Sequence, residues 1–326
     1  MGMMIDGRWD AAADRRTLEV TAGRFERKPS RFRDAVRRDG STRFQPAAGR
    51  YHLYVALNCP WAHRVILMRR LKGLVHAISM SVAIPNGREN GWEFGEFPGA
   101  GPDAVNGFRY LYQAYATADP HYTGVVSVPV LWDTLHRTIV NNESSEILRM
   151  LNDEFAGIAT NPYDFRPEAL RAEIDALGLR MYEALNNGVY RAGFAASQSA
   201  YEDVHAQVFA CLDELEARLS RQRYLAGNRI TEADIRCFVT LVRFDPVYGN
   251  LFKCSLRRIA DYPNLRGYLR DLYQTPGWAE TVDFDHIVRG YYAVRARNPG
   301  GIIPHVPDMQ LDAPHGRDAR FSRPAA

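Results

Sequence analysis

The sequence predicts a small α/β domain followed by an all-α domain. Three observations carry that expectation. Between Tyr51 and Ile147, short β-branched and aromatic runs alternate with a helix-like stretch and one long connection. After Asn161-Pro162-Tyr163-Asp164 the apolar spacing is helical almost throughout. The 326 residues are enough for two modest hydrophobic cores.

Taken in order, residues 1–50 are charged and weakly periodic, and read as an arm lying over the main body rather than a separate domain. Tyr51-His52-Leu53-Tyr54-Val55-Ala56-Leu57 has the composition of a buried strand. Pro60 suits the first turn of a helix with an apolar face of Val65, Ile66, Leu67 and Leu71. Val75 to Ala83 reads as a second strand. The Gly- and Pro-rich stretch 84–124 is long for a connection, and long ordered loops are usually functional. Val125 to Trp132 reads as a strand interrupted by Pro129, Thr138-Ile139-Val140 as a short strand, and Asn141 to Ile147 as the opening of a helix. Helices are then expected at about 166–186, 199–220, 231–243, 264–274 and 284–293. Thr231 and Asp234 have capping-box spacing at the start of the third. The expected organisation is an arm at 1–50, an α/β domain at 51–158, a helical domain at 159–295 and a tail at 296–326.

Composition narrows the function classes. With 46% hydrophobic and 24% charged residues, a largely disordered chain is excluded, and no long uncharged apolar run suggests a membrane span. The start meets Asp6 too early for a signal peptide, so a cytoplasmic protein is expected. A net charge of +3, with basic residues only in short runs such as Arg69-Arg70 and Arg257-Arg258, gives nucleic acid no footprint. The 9 histidines are scattered without HxH or HExxH spacing, so no metal is expected. Cys59, Cys211, Cys237 and Cys254 form no CxxC pair, and the last three sit in apolar, helical-looking contexts as small hydrophobes.

Cys59 differs. It lies between a strand and a helix that opens with Pro60, where unpaired N–H groups and the helix dipole favour a thiolate nucleophile. Ala62 leaves no resolving thiol one turn on, so the site is monothiol and a second thiol such as glutathione must complete any redox cycle. Pro129 argues for a bend, and a cis Val128–Pro129 bond would expose the Val128 backbone to an extended peptide ligand. Pro129 reads equally well as the end of an edge strand. Glu143 and Ser144 open a helix, where an acid suits an ammonium and a hydroxyl with N–H groups suits a carboxylate; taken alone they read first as plain caps. His63, one turn into the Cys59 helix, reads as a packing or capping residue rather than a base.

Cys59-Pro60-Trp61-Ala62, Val128-Pro129 and Glu143-Ser144 in this order, before an all-α half, resemble the cytosolic glutathione transferases with a thioredoxin-like N-terminal domain. Longer segments resemble one branch, the glutathionyl-hydroquinone reductases of the xi class. They are Gly49 to Tyr54, Cys59 to Arg64, Ser127 to Asp133, Asn142 to Ile147, Asn186 to Ala195, Arg243 to Tyr248 and Phe252-Lys253-Cys254. The likeness runs from Gly23-Arg24-Phe25 to Asn298-Pro299-Gly300-Gly301-Ile302.

The resemblance implies that Cys59 is the nucleophile and that Trp92, Val128, Pro129, Glu143 and Ser144 hold glutathione. It implies an aromatic pocket lined by Tyr190, Tyr248, Tyr291 and Tyr292, with Tyr190 and Tyr291 or Tyr292 as proton donors. Without the resemblance each tyrosine would read as a helix-packing residue. It further implies glutathione as co-substrate, a homodimer, and reduction of S-glutathionyl-hydroquinones through a Cys59–glutathione mixed disulfide that releases oxidised glutathione. The chain departs from the family at Gly290, where a histidine is usual, at Ala293-Val294-Arg295, and at Gly249-Asn250-Leu251. These departures bear on substrate choice more than on the chemistry. Two rival readings are an omega-like thiol transferase or dehydroascorbate reductase, and a glutathione-binding module without catalysis. The long 84–124 stretch with Trp92 disfavours the first, and an intact Cys59 the second.

Overall fold

The computed structural model describes residues 2–13, 19–87 and 89–321; residues 14–18 of the expected arm and 322–326 of the expected tail lie outside the described residues. The chain forms two compact units. One holds Met1–Glu19, Arg27–Tyr163 and Asp283–Pro304; the other holds Val20–Glu26, Asp164–Val282 and His305–Ala326. This partition does not follow the expected boundaries at 50, 158 and 295, because long-range bonds override chain order. His286 Nε2 lies 2.6 Å from Pro98 O, which ties the last helix to the first unit. Ala196 N donates to Gly23 O at 3.0 Å, which ties part of the arm to the second.

Two short hairpins occupy the arm, β1 (Met3–Ile5) with β2 (Arg8–Asp10), and β3 (Val20–Thr21) with β4 (Arg24–Phe25). The rest of the first unit runs β5 (Tyr51–Val55), α1 (Pro60–Leu71), β6 (Ile78–Val82), α2 (Leu111–Ala118), β7 (Val130–Asp133), β8 (Thr138–Asn141) and α3 (Ser144–Asp153). The sheet order is β6-β5-β7-β8, with β5 parallel to β6 and the other pairs antiparallel. All five residues of β5 are buried, as a central strand covered on both faces requires. Helices α1 and α3 pack together, which sets the Cys59 and Glu143 ends of these helices in one unit.

Two differences from the sequence reading matter. The strand expected from Val125 starts only at Val130, because the hydroxyl of Tyr115 takes the backbone groups that a strand neighbour would need. It donates to Ser127 O at 2.8 Å and accepts from Ser127 N at 3.2 Å. The long stretch 84–124 contains α2 and is organised by Asp103. Its carboxylate accepts from Val105 N, Asn106 N, Phe108 N, Ser81 Oγ and Tyr54 OH at 3.1–3.2 Å.

His52 lies in β5 with Nδ1 2.7 Å from Ser79 Oγ and Nε2 2.9 Å from Ser81 Oγ. Burial is the main cause that lowers it from 6.5 to about 4, against the pull of Asp103. The folded value is below the unfolded one, so between about pH 4 and 6.5 the unfolded chain binds the extra proton. Stability is therefore expected to fall as pH drops through that window, by up to about 3 kcal/mol from this group. Urea unfolding at several pH values checks it: His52→Gln should flatten the slope, and an unchanged slope would exclude His52 as its source.

The second unit is helical: α4 (Arg171–Met181), α5 (Gly188–Gly193), α6 (Gln198–Leu219), α7 (Glu232–Arg243) and α8 (Pro263–Tyr273). The last helix, α9 (Phe284–Tyr292), belongs to the first unit. Every residue of α7 is buried, which makes it the centre of the bundle. Its start is the expected capping box. Asp234 accepts from Thr231 N at 2.7 Å and Thr231 Oγ1 at 3.0 Å, and also from Leu225 N at 2.9 Å and Tyr268 OH at 2.7 Å. Arg317, in the expected tail, donates to Leu219 O at 3.4 Å, the last carbonyl of α6, and to Gln222 O at 2.8 Å in the turn that follows.

Candidate active site

Cys59 is the N-cap of α1. Its backbone is extended, with φ −81 and ψ 120, and its carbonyl accepts from His63 N at 2.9 Å. Pro60 takes the first helical position, where a missing N–H costs nothing. The sulfur points at Val128 O, 3.7 Å away, and the residue is 9% exposed. Cys211, Cys237 and Cys254 are wholly buried. Burial pushes the Cys211 and Cys254 thiols up to about 12, and it pushes Cys237 well up too, so all three stay protonated and inert at neutral pH. The Val128–Pro129 peptide is cis.

Glu143 caps α3, with Oε1 accepting from Ser145 N at 3.2 Å and Ser145 Oγ at 3.0 Å. Ser144 is buried beside it, and its Oγ lies 3.5 Å from Arg64 Nη1. The Arg64 guanidinium also stands 4.5 Å from the centre of the Trp61 ring, and Arg27 of the arm stands 4.8 Å from the same ring. One turn of α1 thus delivers Cys59, Trp61 and the arginine that reaches the start of α3. His63 is fully buried in that turn.

Trp92 is nearly buried, at the base of the long connection. Its carbonyl accepts from Leu111 N at 2.9 Å, and Phe94 N donates to Arg109 O at 2.8 Å. Sequence reasoning missed Tyr115. Besides its two bonds to the Ser127 backbone, its hydroxyl accepts from Asn142 Nδ2 at 3.0 Å. One α2 side chain therefore fixes both the approach to Val128 and the turn before Glu143. The available signal was an apolar spacing, Leu111, Ala114, Tyr115, hidden inside a stretch rich in glycine and proline.

Tyr291 and Tyr292 end α9, whose Gly290 lies against Asn58, the neighbour of Cys59. A Cβ on Gly290 would come within 2.4 Å of the Asn58 side chain, so a larger residue there requires Asn58 to move. Among the described residues, no cluster of three or more His, Cys, Asp or Glu is placed to hold a metal, and no helix is long and apolar enough to cross a membrane.

Comparison with known proteins fits this geometry. Residues 58–154 match the glutathione S-transferase N-terminal domain family, and residues 198–271 the glutathione S-transferase C-terminal domain family. The chain is 52% identical to glutathionyl-hydroquinone reductase YqjG of Escherichia coli strain K12, covering 98% of this chain and 100% of that protein. The solved xi-class transferase of Natrialba magadii superposes with a TM-score of 0.91 at 48% identity, over 98% of this chain and 97% of that one. The chain belongs to the xi class of glutathione transferases. The glutathione-bound structure of YqjG superposes with a TM-score of 0.89 at 49% identity, over 98% of this chain and 100% of that one.

In this xi-class transferase the helical unit carries the other two expected pocket tyrosines, each next to a π turn. Tyr190 follows Tyr182–Asn186, and Tyr248 closes Phe244–Tyr248. Such wide turns re-aim side chains and are frequent at functional sites. The Tyr190 ring is 6.0 Å from Tyr248 and 5.3 Å from Phe252, and Phe252 stacks on Tyr248. Tyr190 retains 8% exposure, whereas Tyr248 has none. Tyr248 is enclosed by Tyr190 and Phe252 on this side of the helical unit.

Proposed function

We propose that this protein reduces S-glutathionyl-hydroquinones to hydroquinones, with glutathione as co-substrate. The observation that carries the reading is one thiol at a helix N-terminus, on the least buried of the four cysteines and 3.7 Å from Val128 O, in a chain so close to a glutathionyl-hydroquinone reductase. The Cys59 thiolate attacks the glutathionyl sulfur of the substrate. An S–S bond forms, the aryl C–S bond breaks, and the aryl carbon leaves with the electron pair and takes a proton. A second glutathione thiolate then attacks the glutathionyl sulfur of the mixed disulfide, which releases oxidised glutathione and restores Cys59.

The Val128 backbone pairs with the peptide of the tripeptide, with Pro129 holding the bend and Trp92 flanking it. The Glu143 carboxylate accepts from the γ-glutamyl ammonium, and Ser144 at the start of α3 receives its carboxylate. Tyr291 or Tyr292 supplies the proton or steadies the neighbouring oxygen, and Tyr190 is the further candidate for that role. A homodimer, carried by the family resemblance, and a cytoplasmic location are part of the proposal.

The test compares turnover of a glutathionyl hydroquinone, a simple disulfide and dehydroascorbate. The aryl thioether is expected to lead by at least about a hundredfold in kcat/KM, roughly 2.7 kcal/mol of barrier. A lead for dehydroascorbate or the disulfide would put the chain with the omega-like enzymes instead.

A further inference from the structure

The arm segment 30–34 is bonded to the sheet unit at every residue. Ser30 Oγ donates to Glu143 Oε2 at 3.1 Å, with Asn142 O at 3.3 Å as the weaker alternative. Arg31 pairs with Asp119 at 3.0 Å. Phe32 N donates to Asn142 Oδ1 at 3.2 Å, and Asn142 N donates to Phe32 O at 3.1 Å. Arg33 binds both oxygens of Glu146, and Asn141 Nδ2 donates to Asp34 O at 2.9 Å. The other four residues serve as anchors to the end of α2, to the β8–α3 turn and to α3 itself. Ser30 alone among them places its side chain on Glu143.

The acceptor count on Glu143 shows what that contact does. A carboxylate offers about four lone-pair directions. Ser145 N and Ser145 Oγ take the two on Oε1, and Ser30 takes one on Oε2. Among the bonds of the described residues, one direction on Oε2 is left, and the three donors fix where it points. An ammonium arriving there completes the set without rotating the carboxylate. If Ser30 did not hold Oε2, two directions would be open and the carboxylate could turn about its cap.

We propose that the N-terminal arm is a working part of the γ-glutamyl subsite and that Ser30 is a positioning residue for Glu143. The proposal rests on the reading of Glu143 as the acceptor for the γ-glutamyl ammonium. It adds to that reading a specificity for the amino group that originates outside the α/β core, 113 residues away in the chain.

Calorimetric titration of the full chain tests it, with reduced glutathione and with the analogue lacking the γ-glutamyl amino group. Ser30→Ala is expected to weaken glutathione about fivefold and to leave the analogue as in the wild type, since only the ammonium uses the positioned oxygen. Ser30→Thr, which keeps the hydroxyl, should restore glutathione binding to within about twofold of the wild type. Unchanged glutathione binding by Ser30→Ala overturns the proposal, and so does equal weakening of both ligands, the mark of a merely structural arm. If the wild type and Glu143→Gln both fail to distinguish the two ligands, the reading of Glu143 itself falls and takes the proposal with it.

Discussion

Replacing Cys59 by alanine is expected to lower turnover of glutathionyl hydroquinones by at least about a thousandfold, on the order of 4 kcal/mol of barrier. No other thiol can take over. Cys211, Cys237 and Cys254 are buried and held protonated by that burial. Serine should fail almost as completely, because its hydroxyl is a weak nucleophile without an adjacent base, and His63 is buried inside α1. Steady-state turnover checks the loss, and intact-mass measurement checks its cause. With substrate but no free glutathione, the wild type should gain one glutathionyl group and the alanine variant none. Retained turnover in the alanine variant would remove Cys59 from the chemistry. Phenylalanine at 190, 291 and 292, one at a time, then locates the proton donor: a tyrosine whose loss leaves kcat unchanged is not it.

Local signals made much of this site legible. A strand, a cysteine and a helix opening with proline are neighbours in sequence, so the placement of Cys59 at the start of α1 needed no tertiary information. The same holds for Glu143 at the start of α3 and for the Thr231–Asp234 cap. Helix α2 was not legible, because its cap lacks the usual short polar residue. Tyr110 N donates to the Gln113 side chain at 2.8 Å instead, within a stretch that reads as loop. The missing strand at Val125–Val128 has the same origin, since it depends on a tyrosine hydroxyl from that unseen helix. The return of α9 to the first unit rests on a contact spanning 188 residues, which no local periodicity encodes. The Ser30–Glu143 contact is of the same kind. Tyr248 shows the converse limit: its place in a motif marked it as important, while its full burial against Tyr190 and Phe252 is a matter of packing that no motif encodes.

Asp234→Ala is expected to cause the largest loss of stability of any single change considered, about 4 kcal/mol. Asp234 is fully buried, as are Thr231, Leu225 and Tyr268, and it accepts from all three. Alanine would leave two backbone N–H groups and two hydroxyls, those of Thr231 and Tyr268, without their acceptor in a place that water does not reach. Each buried unsatisfied group costs about 1–3 kcal/mol, and relaxation recovers only part of the total. The loss also removes the cap of α7, whose twelve residues are all buried, so fraying at this end exposes the centre of the helical unit. Tyr268→Phe provides the scale, since it deletes one donor and leaves the cap, and should cost about 1 kcal/mol. Urea unfolding followed by circular dichroism gives both numbers. If Asp234→Ala costs no more than Tyr268→Phe, the cap does not hold α7, and the stability of the helical unit must come from its apolar packing alone.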